Sequence, residues 1–175
     1  MTTPHAQVLR RRGRGTETDV VNDGAFGWAD VEVRLRAGES ASWLSVASGG
    51  AVHCRPLFAA WSGEAFVFAS KASALKTRLL AAAGRGSLAV DLGDAHLVAE
   101  GPARRWTSRA DLERASRALR EVFDWPTEVA GDELDAPYAA PTSGGPPFQA
   151  WALTPETVLV LPTDDGAEPT RFTFA

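Results

Sequence analysis

The chain has 175 residues, 45% hydrophobic and 23% charged, enough to bury one core without disulfides or metal. A formal charge of −4 argues against nucleic acid as the main partner, and a single cysteine, Cys54, excludes an internal disulfide and fits a reducing cytosol. No apolar h-region follows Arg10–Arg14 and no apolar run approaches the length of a membrane span, so a cytoplasmic protein with no membrane partner is expected.

Residues 1–27 mix polar, glycine and charged residues without periodicity and read as a mobile N-terminal arm, with one domain over residues 28–175. The arm's Arg10, Arg11, Arg12 and Arg14 suit a solvated tail, a strap over a partner subunit or a nucleic-acid contact. Trp28, Val31 and Leu35 follow helical spacing, and Gly38 supplies a stop. Trp43 to Ala47 reads as a strand that turns at Ser48-Gly49-Gly50 into a second strand, Val52 to Trp61. Alternation places Val52, Cys54, Pro56, Phe58 and Ala60 on an expected core face, and His53, Arg55, Leu57, Ala59 and Trp61 on a mixed face. A mixed face suits a ligand groove or a subunit interface. Pro56 offers no N–H, so the strand is interrupted or lies at an edge there, either for a flat ring or simply as an edge-strand proline.

The turn Ser62-Gly63-Glu64 makes a hairpin with the strand ending at Ser70. A hydroxyl- and lysine-bearing loop, 70–73, then opens a helix with Leu75, Leu79, Ala82 and Ala83 on one side and Gly84-Arg85-Gly86 at its end. A strand delivering the chain to a helix N-terminus beside Lys71 and Lys76 suits a bound phosphate, since free N–H groups and the positive end of the helix dipole point there. Ser87 to Leu92 and His96 to Ala103 form another hairpin about Gly93-Asp94. Ser108 with Asp111 caps a helix to about Phe123 whose stripe is Leu112, Ala115, Leu119, Val122 and Phe123. Residues 127–147 read as a long irregular segment, followed by strands Phe148 to Leu153, Thr157 to Leu161 and Pro169 to Phe174.

Short matches along the chain then point one way. His53, Pro56, Leu57 and Phe58, the hairpin, and Phe68, Ser70, Lys76, Arg78 and Leu80 resemble the strand–turn–strand–helix signature of the pyridoxamine-phosphate-oxidase-like flavin split-barrel family. Gly93 to Gly101, with Glu100-Gly101 closing a strand, is similar to that family too. Its actinobacterial branch is matched by Ala140, Pro141, Thr142, Gly144, Pro146, Pro147, Thr154-Pro155 and Pro169-Thr170-Arg171-Phe172. The resemblance implies a mainly β (α+β) fold, an FMN-binding split β-barrel of six or slightly more antiparallel strands, Greek-key-like, with flanking helices, in a homodimer. It also implies an oxidoreductase acting on a small molecule, with FMN or the deazaflavin coenzyme F-420 as cofactor.

On that resemblance the phosphate is held chiefly by Lys76, with Ser70, Lys71, Ser73 and Thr77 as helpers, while the ring lies along Arg55, Pro56, Leu57 and Phe58. His53 and Trp61 border the substrate. Ala74 and Leu75 stand where the family has serine and arginine, two of the strongest phosphate contacts, so a binding or scaffolding module with a degenerate cofactor site is the alternative. Arg55 either meets the ring's polar edge or forms a structural salt bridge. His53 is a lone histidine without metal-ligand spacing, Cys54 reads as a small core filler, and no catalytic residue is assigned.

Overall fold

The computed structural model describes residues 3–9, 25–38, 40–141, 143–165 and 167–174. The chain begins with a strand, β1 (His5–Val8), and a helix, α1 (Trp28–Arg36). Strands β2 (Ser42–Ser48), β3 (Ala51–Leu57), β4 (Ala60–Trp61) and β5 (Phe66–Ser70) lead into helix α2 (Leu75–Ala83). Strands β6 (Arg85–Asp91) and β7 (Ala95–Trp106) precede helix α3 (Arg109–Phe123). The rest is β8 (Glu128–Ala130), β9 (Glu133–Asp135), β10 (Gln149–Leu153), β11 (Thr157–Pro162) and β12 (Thr170–Thr173).

β7 is the strand about which the others divide. Its first half lies between β6 and β11, whereas residues 103–106 pair with β10. One wing therefore runs β7-β11-β12-β1 and the other β7-β10-β5-β4, with β6, β2 and β3 continuing from β7 on the remaining side. All these pairings are antiparallel. The branch needs a glycine: a Cβ on Gly101 would stand 2.0 Å from the Thr154 carbonyl oxygen, where the β10–β11 connection crosses β7.

The wings enclose the main core, and α1 spans the gap between them. Trp28 meets Trp61 of β4, Phe172 of β12 and Phe174 edge-on, with centroids 5.6, 5.2 and 4.9 Å apart. β5 is buried on both faces, so it reads as a continuous apolar run. Phe66 and Phe68 enter the barrel, and Val67 packs outward under Leu112, Ala115, Ala118 and Leu119 of α3. Ser108 Oγ accepts from the Asp111 N–H at 3.2 Å, the cap expected from the sequence. The product is an antiparallel split barrel with three flanking helices.

Four expectations need correction. His5–Val8 pairs with β12 in full register, so this stretch belongs to the sheet and not to an arm. Its partner lies more than 160 positions away, beyond any local signal; Arg10, Arg11, Arg12 and Arg14 lie outside the described residues. Residues 127–147 contain the β8–β9 hairpin, turned at Gly131 in the left-handed region with φ +66°. α2 buries Thr77 and Leu80, while Leu75, Ala82 and Ala83 are exposed. Finally, Val52, Cys54, Pro56 and Phe58 are exposed and form no core face. Among the described residues β3 pairs only with β2; β2 turns Leu44 and Val46 into the core, whereas β3 turns its own apolar side, Val52, Cys54 and Pro56, outward.

Candidate functional site

The junction between β5 and α2 is built by hydrogen bonds beneath it. Ser70 ends β5, and the Thr77 hydroxyl donates to Ser70 Oγ at 2.9 Å, both buried, tying the first turn of the helix to the strand. Ala74 occupies the N-cap position with extended backbone (φ −64°, ψ 140°) but has no side chain to cap with. The first intrahelical donor is the Arg78 N–H, to the Ala74 carbonyl at 3.1 Å. The N–H groups of Leu75, Lys76 and Thr77 thus have no partner among the described residues, and the first turn has no acidic residue.

Two lysines flank these donors. Lys76 is half-buried, burial lowers its pKa, and it meets no carboxylate among the described residues. Lys71 donates from Nζ to the Gly145 carbonyl at 2.7 Å and lies 5.7 Å from the Phe148 ring centroid. Ser73 is exposed. The arrangement is chemically a cationic, donor-rich helix start.

The β3 residues form a second group, joined to the first through β2, on which α2 packs and with which β3 pairs. Because β3 has no other neighbour among the described residues, its outer edge leaves backbone N–H and C=O groups unpaired there, and Pro56 contributes no N–H. Pro56 thus sits on an edge strand, and the strand also breaks after Leu57. Arg55 is exposed, donates from Nη1 to the Cys54 carbonyl at 2.7 Å, and forms no ion pair among the described residues. The Leu57 carbonyl accepts from Ser42 Oγ at 2.6 Å, and His53 is half-buried opposite Val46.

Two expected residues stand apart. Phe58 leaves the strand, 56% exposed, and meets Phe123 of α3 edge-on at 5.3 Å. Trp61 lies in the core, its Nε1 donating to Glu32 Oε1 of α1 at 2.8 Å, so it supports the barrel rather than facing solvent. Its place on the mixed face came from alternation continued through the break at 58–59.

Sequence reasoning missed a groove of about 430 Å³ between α3 and β8, lined by Arg109, Arg117, Arg120, Glu113, Glu121 and Glu128 among others. Arg109, Glu113, Arg117 and Glu121 recur every four residues, a spacing visible in the sequence that marks one helix face. None of the residues singled out from the sequence lines it. Among the described residues no three His, Cys, Asp or Glu side chains are placed to hold a metal ion, and no helix is long and apolar enough to cross a membrane.

No family model matches the sequence, and neither does any curated protein. Solved structures do share its shape. A NimC/NimA family protein from Clostridium acetobutylicum is 13% identical, with a TM-score of 0.58 over 84% of this chain and 91% of that one. A pyridoxamine 5'-phosphate oxidase-related, FMN-binding protein from Nostoc punctiforme is 15% identical, with a TM-score of 0.51 over 85% and 95%. A heme-binding protein from Mycobacterium smegmatis is 20% identical, with a TM-score of 0.52 over 78% of this chain and 53% of that one. At these identities the likeness establishes the fold, that of the pyridoxamine 5'-phosphate oxidase-like split barrels.

Proposed function

We propose that this chain is a flavin-dependent oxidoreductase acting as a homodimer on a small molecule, with the phosphate of FMN at the start of α2 and the ring along the free edge of β3. The observation that carries the reading is the start of α2, where three N–H groups stand beside a half-buried ammonium and neither the donors nor the charge meets a partner among the described residues. A phosphate monoester satisfies both deficits with charge-assisted hydrogen bonds. Ser70 and Thr77 position that turn from below, while Lys71 and Ser73 border it. The edge of β3, unpaired among the described residues, offers donors and acceptors to the polar rim of a flat heterocycle, and Arg55, with no carboxylate partner among them, supplies positive charge beside it.

A bound flavin supplies the two-electron chemistry. The residues of the chain bind it, orient it and limit access to it. Substrate stacks on the open ring face near Arg55, His53 and the proline-rich segment that ends at Phe148. Trp61 acts only from beneath, through the barrel. The FMN-binding protein of the same fold supports a flavin, and the heme-binding protein of that fold makes haem its competitor.

One observation favours a second reading, a binding or scaffolding module. Leu75, at the first helical position, is 40% exposed and apolar, and the Ala74 side chain has no donor, so two side chains at the helix start give a phosphate nothing. Spectroscopy separates the readings. The purified protein is examined for visible flavin bands, then titrated with FMN, the deazaflavin coenzyme and haem. Saturable FMN binding near one site per chain is the expected result. Deazaflavin binding alone keeps the redox reading with the other cofactor, haem binding alone replaces it, and indifference to all three leaves the module.

A further inference from the structure

We infer that Lys71 is the latch of a lid formed by residues 143–147, holding that segment against the start of α2 and, once ligand is bound, bridging it to the ligand's phosphate. The second half of this inference rests on the phosphate site proposed above; the latch itself does not.

The segment is anchored firmly on both sides. On its N-terminal side Trp125 Nε1 donates to the Tyr138 carbonyl at 2.8 Å, and the Tyr138 hydroxyl donates to the Asp124 carbonyl at 3.1 Å. On its C-terminal side Phe148 is buried, exchanges two 2.8 Å backbone hydrogen bonds with Leu134, and meets Trp125 edge-on at 5.5 Å. Between these anchors residues 143–147 are all exposed. Among the described residues, the Lys71 ammonium on the Gly145 carbonyl is the one hydrogen bond from that span to another element.

Sequence and register explain why lysine serves here. Ser70 pairs with Gln149, so the segment enters β10 directly beside Lys71. Gly144, at φ +71°, and Gly145 give the span a hinge, while Pro146 and Pro147 stiffen what the hinge moves. An ammonium carries three donors, and Lys71 gives one to Gly145. No carboxylate pairs with it among the described residues, and its charge faces the Phe148 ring at 5.7 Å, so two donors and an unneutralised charge remain for an anion at the start of α2. Lys71 is a positioning residue for the lid and, in the ligand-bound protein, a phosphate contact.

Backbone ¹⁵N relaxation at Gly144 and Gly145 tests both halves, with FMN affinity measured separately by quenching of its fluorescence. Without ligand, K71M should lower the order parameters of these two amides from the rigid range, about 0.8, to below about 0.6, leaving β10 and α2 unchanged. K71R, which keeps the charge and the reach, should restore them. Unchanged amides in K71M overturn the latch. With FMN, wild type should bind at least tenfold more tightly than K71M, whose lid should stay mobile even when saturated. Equal affinity, or a lid ordered equally in both, overturns the bridge. If wild type binds no FMN, the phosphate reading and the bridge fall together, and the ligand-free comparison alone decides the latch.

Discussion

Lys76 decides the electrostatics at the start of α2, because it is half-buried and meets no opposite charge among the described residues. Desolvation lowers its pKa below the ordinary lysine value of 10.5, so between the two values the unfolded chain holds more protons than the folded one. Stability therefore rises as pH climbs through that window, and the penalty is fully present at neutral pH, below the folded value. K76M removes the penalty. It should melt at higher urea than wild type at neutral pH, with the advantage shrinking as pH approaches that of free lysine. The same substitution deletes a charge-assisted phosphate contact, and FMN affinity should fall about 10- to 100-fold. Stability and affinity move in opposite directions, as a functional charge requires. A loss of stability at neutral pH would show that Lys76 has a structural partner instead. The lysine was legible from the sequence because its position after a strand marks a helix start. Its lack of a counter-charge was not, since that depends on which carboxylates the fold brings near.

At the scale of the element, α2 and α3 are a natural comparison, for both begin with an extended N-cap residue. At α3 that residue is Ser108, and its hydroxyl caps the helix; at α2 it is Ala74. A74D should cap α2 and meet its dipole, stabilising the protein by about 1 kcal/mol in urea denaturation. The new carboxylate would then occupy the N–H groups assigned to phosphate and repel the anion, so FMN binding should be lost in a fluorescence titration. Retained binding in a stabilised A74D places the phosphate elsewhere. Elements such as α3, the β4–β5 hairpin and the closing strands were legible because local spacing and turn residues specify them. The β8–β9 hairpin was missed: Val129 and Leu134 flank Ala130-Gly131-Asp132-Glu133, but each strand is only three residues long, too short for alternation to stand out. The buried side of α2 was not legible either, because alanines surround that helix and a threonine, Thr77, supplies half of its buried face.

For the whole molecule, the outward face of β3, β2, β6, β7 and β11 poses the question of what covers it. Register places Pro56, Trp43, Ala89, Val98 and Leu159 side by side across five strands, an uncharged row that ends only at Arg171 of β12. Trp43 is 39% and Val52 70% exposed at one end of this face. Alternation along β3 gives the correct period, but its apolar side is the one that faces outward, which is why Val52, Cys54 and Pro56 read as core. An uncharged row of this kind suits another flat sheet, and in the homodimer proposed above a second copy would meet it about a two-fold axis with the same row. W43E and V52D test that occupant. Val52 is so exposed in the single chain that V52D should alter protomer stability by no more than about 0.5 kcal/mol. Each variant should nevertheless convert a dimer into a monomer in sedimentation analysis, and FMN affinity should fall with it if the partner walls the ring. The melting temperature of wild type, unlike that of the variants, should rise with protein concentration. A wild type that sediments as a monomer at micromolar concentration removes the second copy, and the row must then be covered by something other than this chain.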